Sequence, residues 1–217
     1  MSDDGTGFLY PFLDARERDP GPLLADLAAS AVAKAAESAR LRRETLAAHA
    51  DALARAADEM ARRFAAGGRL FTFGNGGSST DASTLAALFA HPPVGPALPA
   101  WTLTADQAVL TALGNDVGFE LVFARQLIAR GGPDDIAIAM STSGSSADLT
   151  AGLAEAKRRG MFTIGFAGYD GGAFATSPDV DVCFTVASQS VHRIQESQAL
   201  LGHELWRAVQ SRRTEAA

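Results

Sequence analysis

The chain has 217 residues, with 19 Lys plus Arg against 25 Asp plus Glu, a formal charge of −6. That balance excludes a polyanion-binding surface as the main business, because a nucleic-acid binder needs a positive footprint; a small anion held by backbone dipoles is still allowed. One cysteine, Cys183, excludes an internal disulfide framework and a cysteine-based zinc module.

Residues 1–21 carry Gly5, Gly7, Pro11, Pro20 and Gly21 and read as an irregular lead-in. Its opening, Met1-Ser2-Asp3-Asp4-Gly5, is acidic and has no apolar export core, so the expected compartment is the cytoplasm. The apolar cluster Phe8 to Leu13 either covers part of the core or docks a subunit or a protein partner. From Leu23 to Ala66 there is no Gly or Pro, and Leu41, Leu46, Leu53, Met60 and Phe64 recur at roughly helical spacing. This predicts two helices, or one kinked helix, ending at Gly67-Gly68. Such an arm is longer than one domain core needs, which points to packing between subunits; a bundle within one chain is the plainer alternative.

After Gly68 the rhythm changes to short apolar runs, each followed by a turn and a helix. Leu70 to Phe73, Ala100 to Leu103, Ile136 to Met140, Phe162 to Phe166 and Val180 to Val186 read as strands, and about 191–210 as a final helix. No apolar run approaches the ~20 residues of a spanning helix. Strands alternating with helices imply right-handed crossovers and a parallel sheet between helical layers, an α/β sandwich. Residues 22–213 are expected to form one domain.

In such sheets ligands bind beyond the carboxyl ends of the strands. Two polar loops lie there, Gly74-Asn75-Gly76-Gly77-Ser78-Ser79-Thr80 and Ser141-Thr142-Ser143-Gly144-Ser145-Ser146. Glycines let backbone approach an anion, the first N–H groups of the following helix favour negative charge, and hydroxyls add neutral donors. This binds phosphate without Lys or Arg. The alternative is a tight turn in which Ser caps its own helix. Neither loop is a nucleotide P-loop or a Gly-x-Gly-x-x-Gly fingerprint, since the lysine and the third glycine are missing.

With Asn115-Asp116 and Arg193-Ile194-Gln195-Glu196, these loops resemble the sugar isomerase (SIS) domain, and within it the phosphoheptose isomerase group, over residues 25–210. The resemblance implies a three-layer αβα sandwich with a five-stranded parallel flavodoxin-like sheet, preceded by an N-terminal helical arm. It implies a homotetramer with pockets between subunits and sedoheptulose 7-phosphate as the kind of substrate. By position it places the phosphate on Ser141, Thr142, Ser143 and Ser146. Asn75, Gly76, Gly77 and Ser78 line the same pocket, Asn115 and Asp116 approach the sugar hydroxyls, and Gln195 reaches in from the last helix.

The family also carries His-x-x-x-Glu on the helix after the first loop, which binds zinc with a Gln and a His of the last helix. Here those two places hold Thr84 and Leu88, and only Gln195 and His203 remain. Two neutral ligands do not complete a zinc site, so no metal or other cofactor is expected. Aldose–ketose isomerisation needs a base beside a carbonyl. His203, Glu196 and Glu120 are the candidates, each with a plainer reading: core imidazole, ion-pair partner of Arg193 and solvated helix carboxylate. Two functions follow: a phosphosugar isomerase with an altered, metal-free site, and a non-catalytic phosphosugar sensor or tetrameric adaptor. A nucleotide-binding protein is disfavoured.

Overall fold

A computed structural model describes residues 21–215 of the chain; the expectations for the lead-in before Gly21 lie outside the described residues. The chain divides between Arg40 and Leu41 into two compact units. Helix α1 covers Gly21–Ala65 as one helix of 45 residues, the single-helix alternative rather than the pair. No Gly or Pro interrupts its ladder, which is the physical reason. In the first unit, Leu24, Leu27 and Val32 are exposed.

The second unit holds the sheet. Strands β1 (Leu70–Gly74), β2 (Ala100–Thr102), β3 (Ile136–Met140), β4 (Phe162–Gly168) and β5 (Val182–Val186) are all parallel and lie in the order β2-β1-β3-β4-β5. Helices α2 (Gly77–Ala90), α3 (Gln107–Asp116), α4 (Val122–Arg130), α5 (Ala147–Arg158), α6 (Gly172–Thr176) and α7 (Val191–Glu215) connect and follow them.

Side chains alternate across a strand, and the core follows that alternation. Leu70, Ile136, Ile138, Ile164 and Phe184 pack on one face with Met60 of α1, Phe89 of α2 and Leu205 of α7. Phe71, Phe73, Ala137 and Ala139 pack on the other with Phe123 of α4, Leu153 of α5 and Phe174 of α6. Three layers result, and because helices cover both faces the strands read as near-continuous apolar runs. At the β5 edge, His49 is half-buried. Its Nε2 lies 2.8 Å from the Thr185 carbonyl oxygen and 3.1 Å from the Thr185 nitrogen, where a bare edge would leave backbone groups open.

Candidate functional site

The chain goes from β1 outward to β2, then returns to β3 on the other flank of β1, so the strand order reverses between β1 and β3. A crevice opens at such a point, beyond the carboxyl ends. Register pairs Gly74 with Met140, so the two polar loops leave adjacent strands side by side.

Each loop then enters a helix whose start carries no side-chain cap. At α2 the capping position is Gly76, at φ +54°, a left-handed conformation that glycine tolerates best. At α5 it is Ser146, whose hydroxyl makes no cap bond. Serine capping its own helix is therefore not what this loop does. The first N–H groups of a helix lack intrahelical partners, and the helix dipole adds positive character there. Two such starts face one crevice.

Ser141 is the post around which the second loop turns. Its N–H donates to the Phe166 carbonyl at 3.0 Å, and its Oγ accepts the N–H groups of Ser143 at 3.2 Å and Gly144 at 3.0 Å. Its hydroxyl oxygen thus shapes the loop, and its O–H is left to donate. Thr142 and Ser146 are half-buried and Ser143 is exposed; Ser78, expected in the pocket, is buried. The loops are tied together from below: Asn75 Nδ2 donates to both carboxylate oxygens of buried Asp148, at 3.0 and 2.8 Å.

Helix α7 approaches the first loop because Gly77 has no side chain; a Cβ there would lie 2.5 Å from Gln195 Nε2. That amide donates to Asp81 Oδ2 at 3.1 Å. Beside it, between α2 and α7, is a hollow of about 60 Å³, lined among others by Asp81, Thr84, Leu88, Met140, Gln198 and His203. Burial pushes the Asp81 carboxyl above its ordinary value, partly offset by the Gln195 hydrogen bond. His203 is half-exposed, its ring 5.4 Å from that of Trp206 and its Nδ1 3.5 Å from Glu204 Oε1.

Glu196 pairs with Arg42 of α1 at 2.8 Å. Asn115 Nδ2 donates to Asp116 Oδ1 at 2.7 Å at the exposed end of α3, and Glu120 is exposed in the single 3-10 turn that follows.

Zinc takes thiolate, imidazole or carboxylate donors. Where the resemblance implies His and Glu, Thr84 donates its hydroxyl to the Thr80 carbonyl at 3.0 Å and Leu88 has no lone pair to give. Gln195 turns its NH₂, not its oxygen, toward Asp81. Among the described residues no three His, Cys, Asp or Glu side chains gather into a metal-holding group. These residues do not fit zinc.

Three polar residues of the site escaped the sequence reading. Asp81 lies three and seven residues before Thr84 and Leu88, a spacing that puts all three on one helix face. Gln198 follows Gln195 by three, a similar signal. Asp148 had none, because its partner Asn75 is 73 residues away.

A family model described as SIS domain matches residues 35–168. The chain is 41% identical over 179 residues to a phosphoheptose isomerase of Solidesulfovibrio magneticus, covering 80% of this chain and 84% of that one. It is 43% identical over 175 residues to one of Desulfovibrio desulfuricans, covering 80% and 82%. The solved phosphoheptose isomerase of Neisseria gonorrhoeae superposes with a TM-score of 0.79 at 35% identity, over 85% of this chain and 99% of that one. That of Francisella tularensis gives 0.79 at 31% identity, over 85% and 98%.

Proposed function

Because this chain belongs to the SIS domain family, within its phosphoheptose isomerase group, we propose that it binds a sugar phosphate such as sedoheptulose 7-phosphate and interconverts its ketose and aldose forms without a resident zinc ion. The observation that carries this reading is the pair of uncapped helix starts, α2 and α5, at the one place where the strand order reverses.

The phosphate is held by the first N–H groups of α5 and α2 and by the hydroxyls of Thr142, Ser143 and Ser146, all neutral donors. The carbonyl end of the sugar then extends toward the hollow between α2 and α7. Isomerisation removes a proton from the carbon next to the carbonyl and returns one to the former carbonyl carbon; the enediolate between them needs a donor on its oxygen. His203 is the imidazole at the hollow, and its neutral form accepts the proton and gives it back. The Gln195 amide steadies the oxygen end. Asn115 and Asp116 meet sugar hydroxyls only where a neighbouring subunit brings another pocket to them.

The exposed apolar side chains Leu24, Leu27 and Val32 support self-assembly, a homotetramer by resemblance, with the cytoplasm as the proposed compartment. No helix among the described residues is long and apolar enough to cross a membrane. A second reading, a phosphosugar sensor or protein-binding adaptor, is favoured by one observation: the hollow is walled by Thr84 and Leu88, neither of which moves a proton.

A coupled assay with sedoheptulose 7-phosphate, with and without zinc, separates the two when run beside thermal melting in the same sugar phosphate. Turnover independent of added zinc supports the isomerase. A raised melting temperature without product supports the sensor. If no sugar phosphate stabilises the chain, both readings fall.

A further inference from the structure

Gln198 is fully buried on α7, between Gln195 and His203 in sequence. Its Nε2 donates to the Ser141 carbonyl at 2.7 Å. Only an NH₂ group can face a carbonyl at that distance, so the orientation of the amide follows from the contact. Its Oε1 has no donor among the described residues. A leucine or methionine would fill the position without burying an unmatched acceptor, which is costly. The one bond that Gln198 makes therefore has to account for its presence, and that bond goes to the phosphate loop.

The partner atom belongs to the residue on which the loop depends. Ser141 spends its N–H on β4 and its hydroxyl on the turn at 143–144. Its carbonyl takes Gln198. The loop is thus shaped by Ser141 itself, fastened to the sheet by the Ser141 N–H, and fastened to α7 by Gln198. The same helix carries Gln195, whose amide reaches Asp81, and His203 at the hollow.

We propose that Gln198 is a positioning residue that holds the phosphate loop 141–146 in register with α7, so that a bound sugar phosphate presents its carbonyl end to His203 and Gln195. This rests on the sugar-phosphate reading above. It separates two quantities. The internal shape of the loop, and with it the grip on phosphate alone, does not need Gln198. The distance from that grip to the groups on α7 does, and misplacing a reactant by a fraction of a bond length or more lowers the rate of the step rather than the strength of binding.

Q198M removes the donor at nearly constant volume, Q198N keeps an amide but shortens its reach, and Q198H restores an N–H at a reach close to that of glutamine. Steady-state kinetics with sedoheptulose 7-phosphate and calorimetric titration with inorganic phosphate are measured on all three. In Q198M and Q198N, kcat falls on the order of 30-fold, KM moves less than about threefold and the phosphate Kd stays within about twofold; Q198H recovers most of kcat. Unchanged kcat in a folded Q198M or Q198N, or no recovery in Q198H, overturns the proposal. If the wild type binds the sugar phosphate without turning it over, the isomerase reading fails and the test passes to affinity. Q198M then weakens sedoheptulose 7-phosphate about tenfold and leaves inorganic phosphate unchanged, and equal weakening of both contradicts the inference. A wild type that binds neither ligand removes the proposal together with the reading beneath it.

Discussion

The two ends of the site are built on different principles. At the loop end, α2 and α5 begin under a glycine and an idle serine, with glycine turns and hydroxyls around them and no basic side chain needed. At the hollow end, helix α2 presents Thr84, whose hydroxyl is turned onto its own helix, and Leu88, while Asp81 and His203 supply the ionisable groups. The first end carries the residues from which the family resemblance is read. The second departs from it at the two positions that would hold metal and move a proton. Recognition of phosphate by backbone dipoles depends on chain geometry, so it persists while the fold persists. Chemistry depends on a few side chains and changes with them.

Restoring the missing pair sharpens this contrast most. In a T84H/L88E double variant, two zinc donors return to one face of α2 beside His203 and Gln195. Zinc affinity, measured by competition with a chromogenic chelator, rises on the order of 10³-fold over the wild type. Equal affinity in the two proteins breaks the argument that the hollow lacks donors.

The loop end is tested by capping what stands uncapped. S146D places a carboxylate on the first N–H groups of α5, where aspartate is a favourable cap. The variant melts at or above the wild-type temperature but loses sugar-phosphate affinity on the order of 100-fold, through occupied donors and like charge. Retained affinity would mean the phosphate sits elsewhere.

A comparison inside the molecule supplies the control. Helix α3 begins under Asp106, whose Oδ1 accepts the Val109 N–H at 3.0 Å. D106A costs about 1 kcal/mol, a Tm lower by roughly 2–4 °C, with no change in ligand affinity. A loss of affinity there would blur the distinction between a cap that serves the fold and a start left open for a ligand.

The smallest effect concerns Asp81. Burial raises its carboxyl in the folded chain, so the folded state takes up that proton before the unfolded one does. Ionised Asp81 therefore works against stability above its raised value, and the cost fades as pH falls through it. D81N melts slightly above the wild type at neutral pH, and the difference closes on acidification. A difference that grows toward low pH would reverse the assignment.

The sheet was legible in the sequence because β1, β3 and β4 are buried on both faces and so appear as near-continuous apolar runs with glycine or serine at or just past their ends. The loops were legible because glycine and serine at a strand end have few other uses. The form of α1 was left open between two helices and one kinked helix because alanine-rich stretches give little periodicity to follow. The ion pair of Glu196 with Arg42 was not legible, since the two are 154 residues apart. Asp148 and Gln198 act through contacts to Asn75 and Ser141, 73 and 57 residues away, and no local pattern announces such partners.

The most direct measurement is a crystal structure of the chain soaked with sedoheptulose 7-phosphate. The account predicts phosphate density between residues 76–78 and 143–147, within hydrogen-bonding distance of the first N–H groups of α2 and α5, with the sugar running toward His203. Phosphate density seated away from both helix starts would contradict it.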